Sequence, residues 1–187
     1  MGFQLLASRL LNPHFGSSII VWAWLISTFL AAFSLGSILG GWISNATRIW
    51  RHRAQTVAAT TGLCALAFTA CFGRLFLARI ETVLTSMSLG LFVSCLGLFF
   101  LPVAALSSFS PQCVQFLAAR GTRPGVASGI VYGISTLGNI AGVMLTAFVL
   151  IPHFRVSVLM YGWLAVAVFS LLALIRILRT TPGNSAP

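Results

Sequence analysis

Long apolar segments constrain this chain more than any other feature of its sequence. Five segments are mostly apolar and about 20 residues long or longer, the length that an α-helix needs to cross the hydrocarbon core of a bilayer. They cover residues 18–43, 54–73, 82–109, 126–151 and 156–177. We therefore predict an all-α membrane protein with five spans, a kink at Pro102 in the third span, and antiparallel neighbours because the connections are short.

The charge content of the chain supports a membrane protein. Of the 187 residues, 58% are hydrophobic and 6% are charged, whereas a soluble domain has about 25% charged residues. The net charge of +10 comes from arginine alone, and Glu81 is the only acid. Because the arginines lie between apolar segments instead of forming one basic face, we expect a lipid bilayer as the partner and no nucleic acid.

Residues that carry catalytic or metal chemistry are nearly absent. The sequence contains no aspartate, and proton transfer or coupling inside a membrane usually uses buried acids or histidines. The histidines fall in predicted loops or near interfaces: His14, His52 and His153. The cysteines form no C-x-x-C pair: Cys64, Cys71, Cys95 and Cys113. We expect no enzymatic activity, no catalytic residue, no metal site and no cofactor.

The stretch GGWISNATRIWRHR, Gly40 to Arg53, predicts the orientation of the bundle. With five spans, seven arginines fall on one side: Arg48, Arg51, Arg53, Arg120, Arg123, Arg176 and Arg179. The other side has four: Arg9, Arg74, Arg79 and Arg155. Arginine-rich short loops stay in the cytoplasm. We therefore expect the N-terminus outside, the C-terminus in the cytoplasm, and a cytoplasmic anchor formed by Arg48, Arg51, Arg53, Arg120 and Arg123.

Glycines recur at helical spacing in two of the predicted spans. Gly36 and Gly40 form one G-x-x-x-G pair. The fourth span has a longer series: Gly125, Gly129, Gly133, Gly138 and Gly142. Small residues let helix backbones approach closely in lipid, so we predict helix packing, within the chain or between chains, at Gly36, Gly40, Gly129, Gly133, Gly138 and Gly142. Glycine-rich helices also line transport paths, which leaves that alternative open.

The ends of the chain differ from the apolar segments. Residues 1–179 are predicted to form the transmembrane helical bundle, and residues 180–187 a disordered C-terminal tail. The segment Met1 to Leu11 is too short to span a bilayer. It is expected to be either an interfacial helix or the stub of a longer helix.

Two blocks of sequence resemble the membrane region of the fused major facilitator superfamily/spermidine synthase-like family. The first block is LLASRLLNPHFGSSIIVWAWLISTFLAAFSLGSILGGWIS, with Ser8, Arg9, Leu10, Leu11, Pro13, Phe15, Gly16, Ser17, Ser18, Trp22, Gly40 and Gly41 at the matching positions. The second block, GVASGIVYGISTLGNIAGVMLTAFVLIPHFRV, resembles the small-residue helix of that family. Its matching residues are Ser135, Thr136, Leu137, Gly138, Gly142 and Pro152.

The resemblance implies half of a major facilitator fold in a bacterial inner membrane, with Met1 to Leu11 as the end of a first helix whose beginning is missing. Three features depart from the family pattern. Asn45 and Ala46 stand where the superfamily loop carries Asp-Arg, Gln4 stands where the family has an acid, and the soluble synthase-like domain has no counterpart.

Two functions remain open at the level of sequence. The first is a transporter-like half-bundle that moves a small solute, working as a homodimer or with another membrane protein. The alternative is a non-transporting scaffold or anchor for a separate soluble, synthase-like partner. The absence of an acid inside a span disfavours transport of a cationic amine, because such a solute needs a counter-charge.

Overall fold

The computed structural model describes residues 1–84 and 86–179, excluding the side chains of Arg48, Leu178 and Arg179. The predicted tail, residues 180–187, lies outside the described residues. The helices are α1 Gly2–Phe15, α2 Ile19–Asn45, α3 Arg48–Val83, α4 Met87–Cys95, α5 Leu101–Ser107, α6 Phe109–Ala119, α7 Pro124–Met144, α8 Ile151–His153 and α9 Val156–Arg179. Two π-helical segments, Leu96–Phe100 and Leu145–Leu150, join α4 to α5 and α7 to α8.

The five predicted spans are confirmed, with different ends. Helices long and apolar enough to cross a membrane run over Ile19–Asn45, Ile49–Val83, Met87–Ala119, Pro124–His153 and Val156–Ile177. No strand occurs in the described part of the chain. The protein is therefore an all-α membrane bundle.

The arginine-rich stretch is helical, which corrects the prediction of a loop. Helix α3 begins at Arg48, and Ala46 and Thr47 alone connect it to α2. No proline interrupts the stretch from Arg48 to Val83, so the helix continues well beyond the apolar residues at its centre. At about 1.5 Å per residue it is longer than the roughly 30 Å hydrocarbon core, and its ends therefore extend beyond that core.

The third span continues through Pro102, and its predicted end at Phe109 is wrong. Proline lacks the N–H that would donate to the carbonyl of Leu98, four residues earlier. Thr69 of α3 replaces that donor, with its Oγ1 2.7 Å from the oxygen of Leu98. The chain stays helical to Ala119, with a break of a single residue at Ser108.

Helix α1 lies inside the bundle, so the prediction of an interfacial helix is wrong. Leu6, Ala7 and Leu11 are fully buried, and α1 contacts α2, α3, α7, α9 and the second π-helical segment. The helix ends at Gly16, whose positive φ of 72° is a backbone conformation that glycine adopts readily. The buried apolar residues of α1 form the centre of the main core together with Leu25, Leu91 and Phe99.

Candidate functional site: a cavity at the centre of the bundle

A cavity of about 680 Å³ lies at mid-depth in the bundle, and α1 and all five spans contribute to its lining. Its lining residues fall in the central parts of α2 (26–33), α7 (132–139) and α9 (163–174). Pro102 also lines it, directly after the π-helical segment Leu96–Phe100. Such π-helical segments occur frequently at functional sites.

Three walls of the cavity are mostly apolar, with Ser107, Ser110 and Ser170 as their polar members. Helix α2 contributes Phe29 and Phe33, α5 contributes Leu106, and α9 contributes Leu171. The wall beside α1 is aromatic, because the ring of Phe3 lies 5.9 Å from that of Phe29 and 6.4 Å from that of Trp163, measured between ring centroids. These ring contacts hold large side chains in defined positions around an apolar space.

The fourth wall, on α7, is polar. Tyr132, Ser135, Thr136 and Asn139 line the cavity at positions i, i+3, i+4 and i+7, which share one face of an α-helix. All four side chains are exposed. The Thr136 hydroxyl donates to the carbonyl of Tyr132, and Asn139 Oδ1 accepts from the amino group of Met1 at 3.4 Å. The polar face of α7 therefore carries hydroxyl and amide groups that a bound molecule can reach.

Gln4 of α1 is the second amide in the lining. Its side chain is only 8% exposed, and among the described residues it forms no side-chain hydrogen bond. A carboxamide has two N–H donors and an acceptor oxygen. The cavity thus presents one buried amide from α1 and a polar helix face from α7.

The predicted cytoplasmic-anchor arginines lie around one end of the bundle. Arg51 and Arg53 are in the first turns of α3, while Arg120 and Arg123 flank the connection from α6 to α7. Buried Gln55 and Gln112 join these elements, with Nε2 of Gln55 2.7 Å from Oε1 of Gln112. The guanidinium of Arg120 lies 4.5 Å from the ring centroid of Phe116.

One anchor residue falls partly outside this description. Arg48 is the first residue of α3, and its side chain is not among those that the structure describes. The other four anchor residues are not among those that line the cavity.

The opposite end of the bundle contains the only acid. Glu81 Oε2 lies 2.7 Å from Nδ1 of His14. This pair connects α3 to the end of α1. The two residues are 67 positions apart along the chain, so only the fold brings them together.

The glycines of α2 and α7 lie in different surroundings. A Cβ atom on Gly36 would overlap the carbonyl of Ala104, and one on Gly40 would overlap the carbonyl of Ser108. These two glycines let α2 approach α5 and α6 at backbone distance. The longer series has nothing within 4 Å of an added Cβ at any member: Gly125, Gly129, Gly133, Gly138 and Gly142. Within the described residues one member has a close neighbour, because a Cβ added to Gly2 of α1 would lie 3.0 Å from the carbonyl oxygen of Gly142. Contact of the series with another chain stays a prediction.

The polar face of α7 and the role of Gln4 were missed by the sequence analysis. The signal for the first was present, since Tyr132, Ser135, Thr136 and Asn139 follow the i, i+3, i+4, i+7 pattern between glycines. Gln4 gave no such signal, because only the folded chain brings α1 beside α7.

No family model, curated protein or solved structure matches this chain.

Proposed function

We propose that the protein is a transporter-like half-bundle that binds a small solute in its central cavity and moves it across the membrane. The observation that carries the proposal is the position of the cavity at mid-depth, where all five spans and α1 meet. Transporters commonly bind their solutes near the midplane, beside irregular or broken helices. Here Pro102, which is separated from the π-helical segment Leu96–Phe100 by one residue, lines the cavity.

The size and chemistry of the cavity suit a small molecule. Ligand pockets commonly have volumes of about 300–1,000 Å³ and apolar walls with a few polar groups. The 680 Å³ cavity, with its polar α7 face, has these properties. A scaffold needs no such space in its interior, so the cavity favours transport over anchoring.

The proposal includes the family relationship and the orientation of the bundle. The residue matches around Ser8 to Ser18 and Ser135 to Gly142 support half of a major facilitator-like fold as a sequence resemblance. The arginine distribution supports a cytoplasmic position for the start of α3 and for the connection from α6 to α7.

Solute uptake into proteoliposomes tests the proposal. A panel of small neutral, anionic and cationic solutes is offered to liposomes with the protein, with a cavity-filling variant, and without protein. Ser135→Trp places a large ring in the cavity, whereas Ile134→Trp, outside the lining and 67% exposed, is the matched control. Uptake of at least one solute that Ser135→Trp abolishes and Ile134→Trp preserves is expected. Uptake equal to that of protein-free liposomes for the whole panel contradicts transport and favours the scaffold.

A further inference from the structure

The charges around the cavity restrict the solutes that it can hold. Among the residues that the structure describes, no acidic, histidine or arginine side chain lines it. Glu81, the only acid of the chain, is 54% exposed and faces His14. A cation or an anion in this low-dielectric space would have no counter-charge among the described side chains, which is costly inside a membrane.

The buried amide of Gln4 points to a hydrogen-bonding ligand. A buried polar side chain without a partner costs free energy, and most such groups in proteins are paired. Gln4 is more than nine-tenths buried and lines the cavity, and its side chain forms no hydrogen bond to the described residues, whereas its backbone N–H donates to the carbonyl of Met1. A bound molecule with a carbonyl, amide or hydroxyl group would supply the missing partner.

The α7 face offers the same chemistry from another side. The amide of Asn139 and the hydroxyls of Tyr132, Ser135 and Thr136 both donate and accept hydrogen bonds. The remaining walls, formed by side chains such as Phe33 and Leu106, accept an apolar body. The cavity is thus amphipathic, with uncharged polar groups facing apolar walls.

We propose that the cavity binds an uncharged amphipathic solute whose amide or hydroxyl groups are hydrogen-bonded by Gln4 and by the polar face of α7. This inference rests on the proposed function for the place of binding, and it adds the chemical class of the solute. The apolar part of the solute packs against α2, α5 and α9. Gln4 and Asn139 are the residues that select an uncharged polar group.

Three probes of one shape separate the charge classes. They are 4-phenylbutyramide, which is neutral, 4-phenylbutylamine, which is cationic at pH 7, and 4-phenylbutyrate, which is anionic. Binding of each to the protein in nanodiscs of neutral lipid is measured by equilibrium dialysis against empty nanodiscs. The amide is expected to bind saturably and at least about tenfold more tightly than the amine or the carboxylate, a ratio that corresponds to one unpaired charge or polar group in the site.

Variants assign the selectivity to the two amides. Gln4→Leu and Asn139→Leu each remove one hydrogen-bonding group and should weaken binding of the amide about fivefold. Ser128→Ala, on α7 and outside the lining, is the control and should leave binding unchanged. Gln4→Glu should reverse the preference, so that the amine binds more tightly than the amide. The melting temperature of each variant is measured in parallel. Because Gln4 and Asn139 lie on different helices, misfolding of one variant still leaves the other variant as a test.

Each result supports or overturns the inference. Equal or tighter binding of the amine or the carboxylate by the wild-type protein overturns the solute class, and so does absence of saturable amide binding. Unchanged amide binding in folded Gln4→Leu overturns the role of Gln4. Transport is tested separately by the uptake assay. Saturable binding of the amide without uptake of any solute contradicts transport but supports an uncharged amphipathic ligand. Uptake of cations alone supports transport but contradicts an uncharged amphipathic ligand.

Discussion

The hydroxyl of Thr69 on α3 donates to the carbonyl of Leu98, the group that Pro102 leaves without its helical N–H donor, over 2.7 Å. Thr69 is 2% exposed. This hydrogen bond connects α3 to the π-helical segment Leu96–Phe100 of the third span, beside the cavity. It also explains how a proline is accommodated in a membrane helix, where an unsatisfied carbonyl would be costly.

Removal of this hydroxyl should destabilise the bundle. Thr69→Val keeps the shape of the side chain and leaves the Leu98 carbonyl without a donor, so we expect a loss of about 1–3 kcal/mol in the free energy of unfolding. The measurement is unfolding in mixed micelles with increasing dodecyl sulfate. Thr60→Val on the same helix is the control, because exposed Thr60 bonds only carbonyls of α3 itself. Equal free energies of unfolding for the two variants would show that the stability of the bundle does not depend on the hydrogen bond from Thr69.

The close approach of α2 to α5 and α6 requires glycine at two positions. Gly40→Ala should destabilise the bundle by about 1–3 kcal/mol, because an added methyl group forces backbones apart in a packed interior. Gly36→Ala should act in the same way. Gly41→Ala is the matched control, since an added Cβ there meets nothing within 4 Å. Thermal melting in detergent compares the variants, and a Gly40→Ala protein as stable as Gly41→Ala contradicts the observed helix spacing.

The pair of His14 and Glu81 should contribute little to stability. Glu81 is 54% exposed, and exposed ion pairs are worth about 0–1 kcal/mol. A double-mutant cycle with His14→Ala and Glu81→Gln measures the coupling energy in detergent. A coupling well above that range would indicate that the end of α1 depends on this contact to stay in the bundle.

Contact between chains through α7 remains a prediction with a defined test. Corresponding members of the two glycine pairs are nine residues apart, which places the second pair about 180° around the helix from the first, so the series occupies two faces. Gly129→Leu with Gly133→Leu changes one face, and Gly138→Leu with Gly142→Leu changes the other.

We expect one of these double variants to lower the mass of the detergent-solubilised protein measured by light scattering, through steric clash in a helix interface. Gly133→Leu with Gly138→Leu changes both faces and should have the same effect. The melting temperature of the separated chain should be little altered by Gly129→Leu with Gly133→Leu, because an added Cβ at either position meets nothing within 4 Å. Val149→Leu with Val158→Leu, at exposed positions, is the control. An unchanged mass in all variants would show that both faces contact lipid.

The orientation predicted from the arginines is tested by labelling. On a cysteine-free background, Trp50→Cys in the first turn of α3 should react with a membrane-impermeant maleimide from the cytoplasmic side alone. Phe154→Cys, between α8 and α9, should react from the outside alone. Reversed accessibility would contradict the rule of cytoplasmic arginines for this chain.

The sequence predicted the spans because each is a long apolar segment that lipid requires to be helical. It misplaced their ends at Arg48 and Ala119, since polar residues at the membrane surface continue a helix at little cost and give no apolar signal. Gly40 and Gly133 look alike in sequence, yet only the first has a close neighbour. Gln4 and Asn139 are far apart along the chain, so the cavity that both line appears only after packing.

Accessibility of the cavity from the two sides of the membrane distinguishes a carrier from a scaffold. Ser135→Cys lines the cavity, and Ile134→Cys beside it does not. Each is placed on a cysteine-free background and treated in oriented vesicles with a membrane-impermeant maleimide, which reacts with the water-exposed thiolate. We predict reaction of Ser135→Cys from both sides, slowed by 4-phenylbutyramide, and negligible reaction of Ile134→Cys. Equal, negligible reaction at the two positions from both sides would contradict a solute pathway through this cavity.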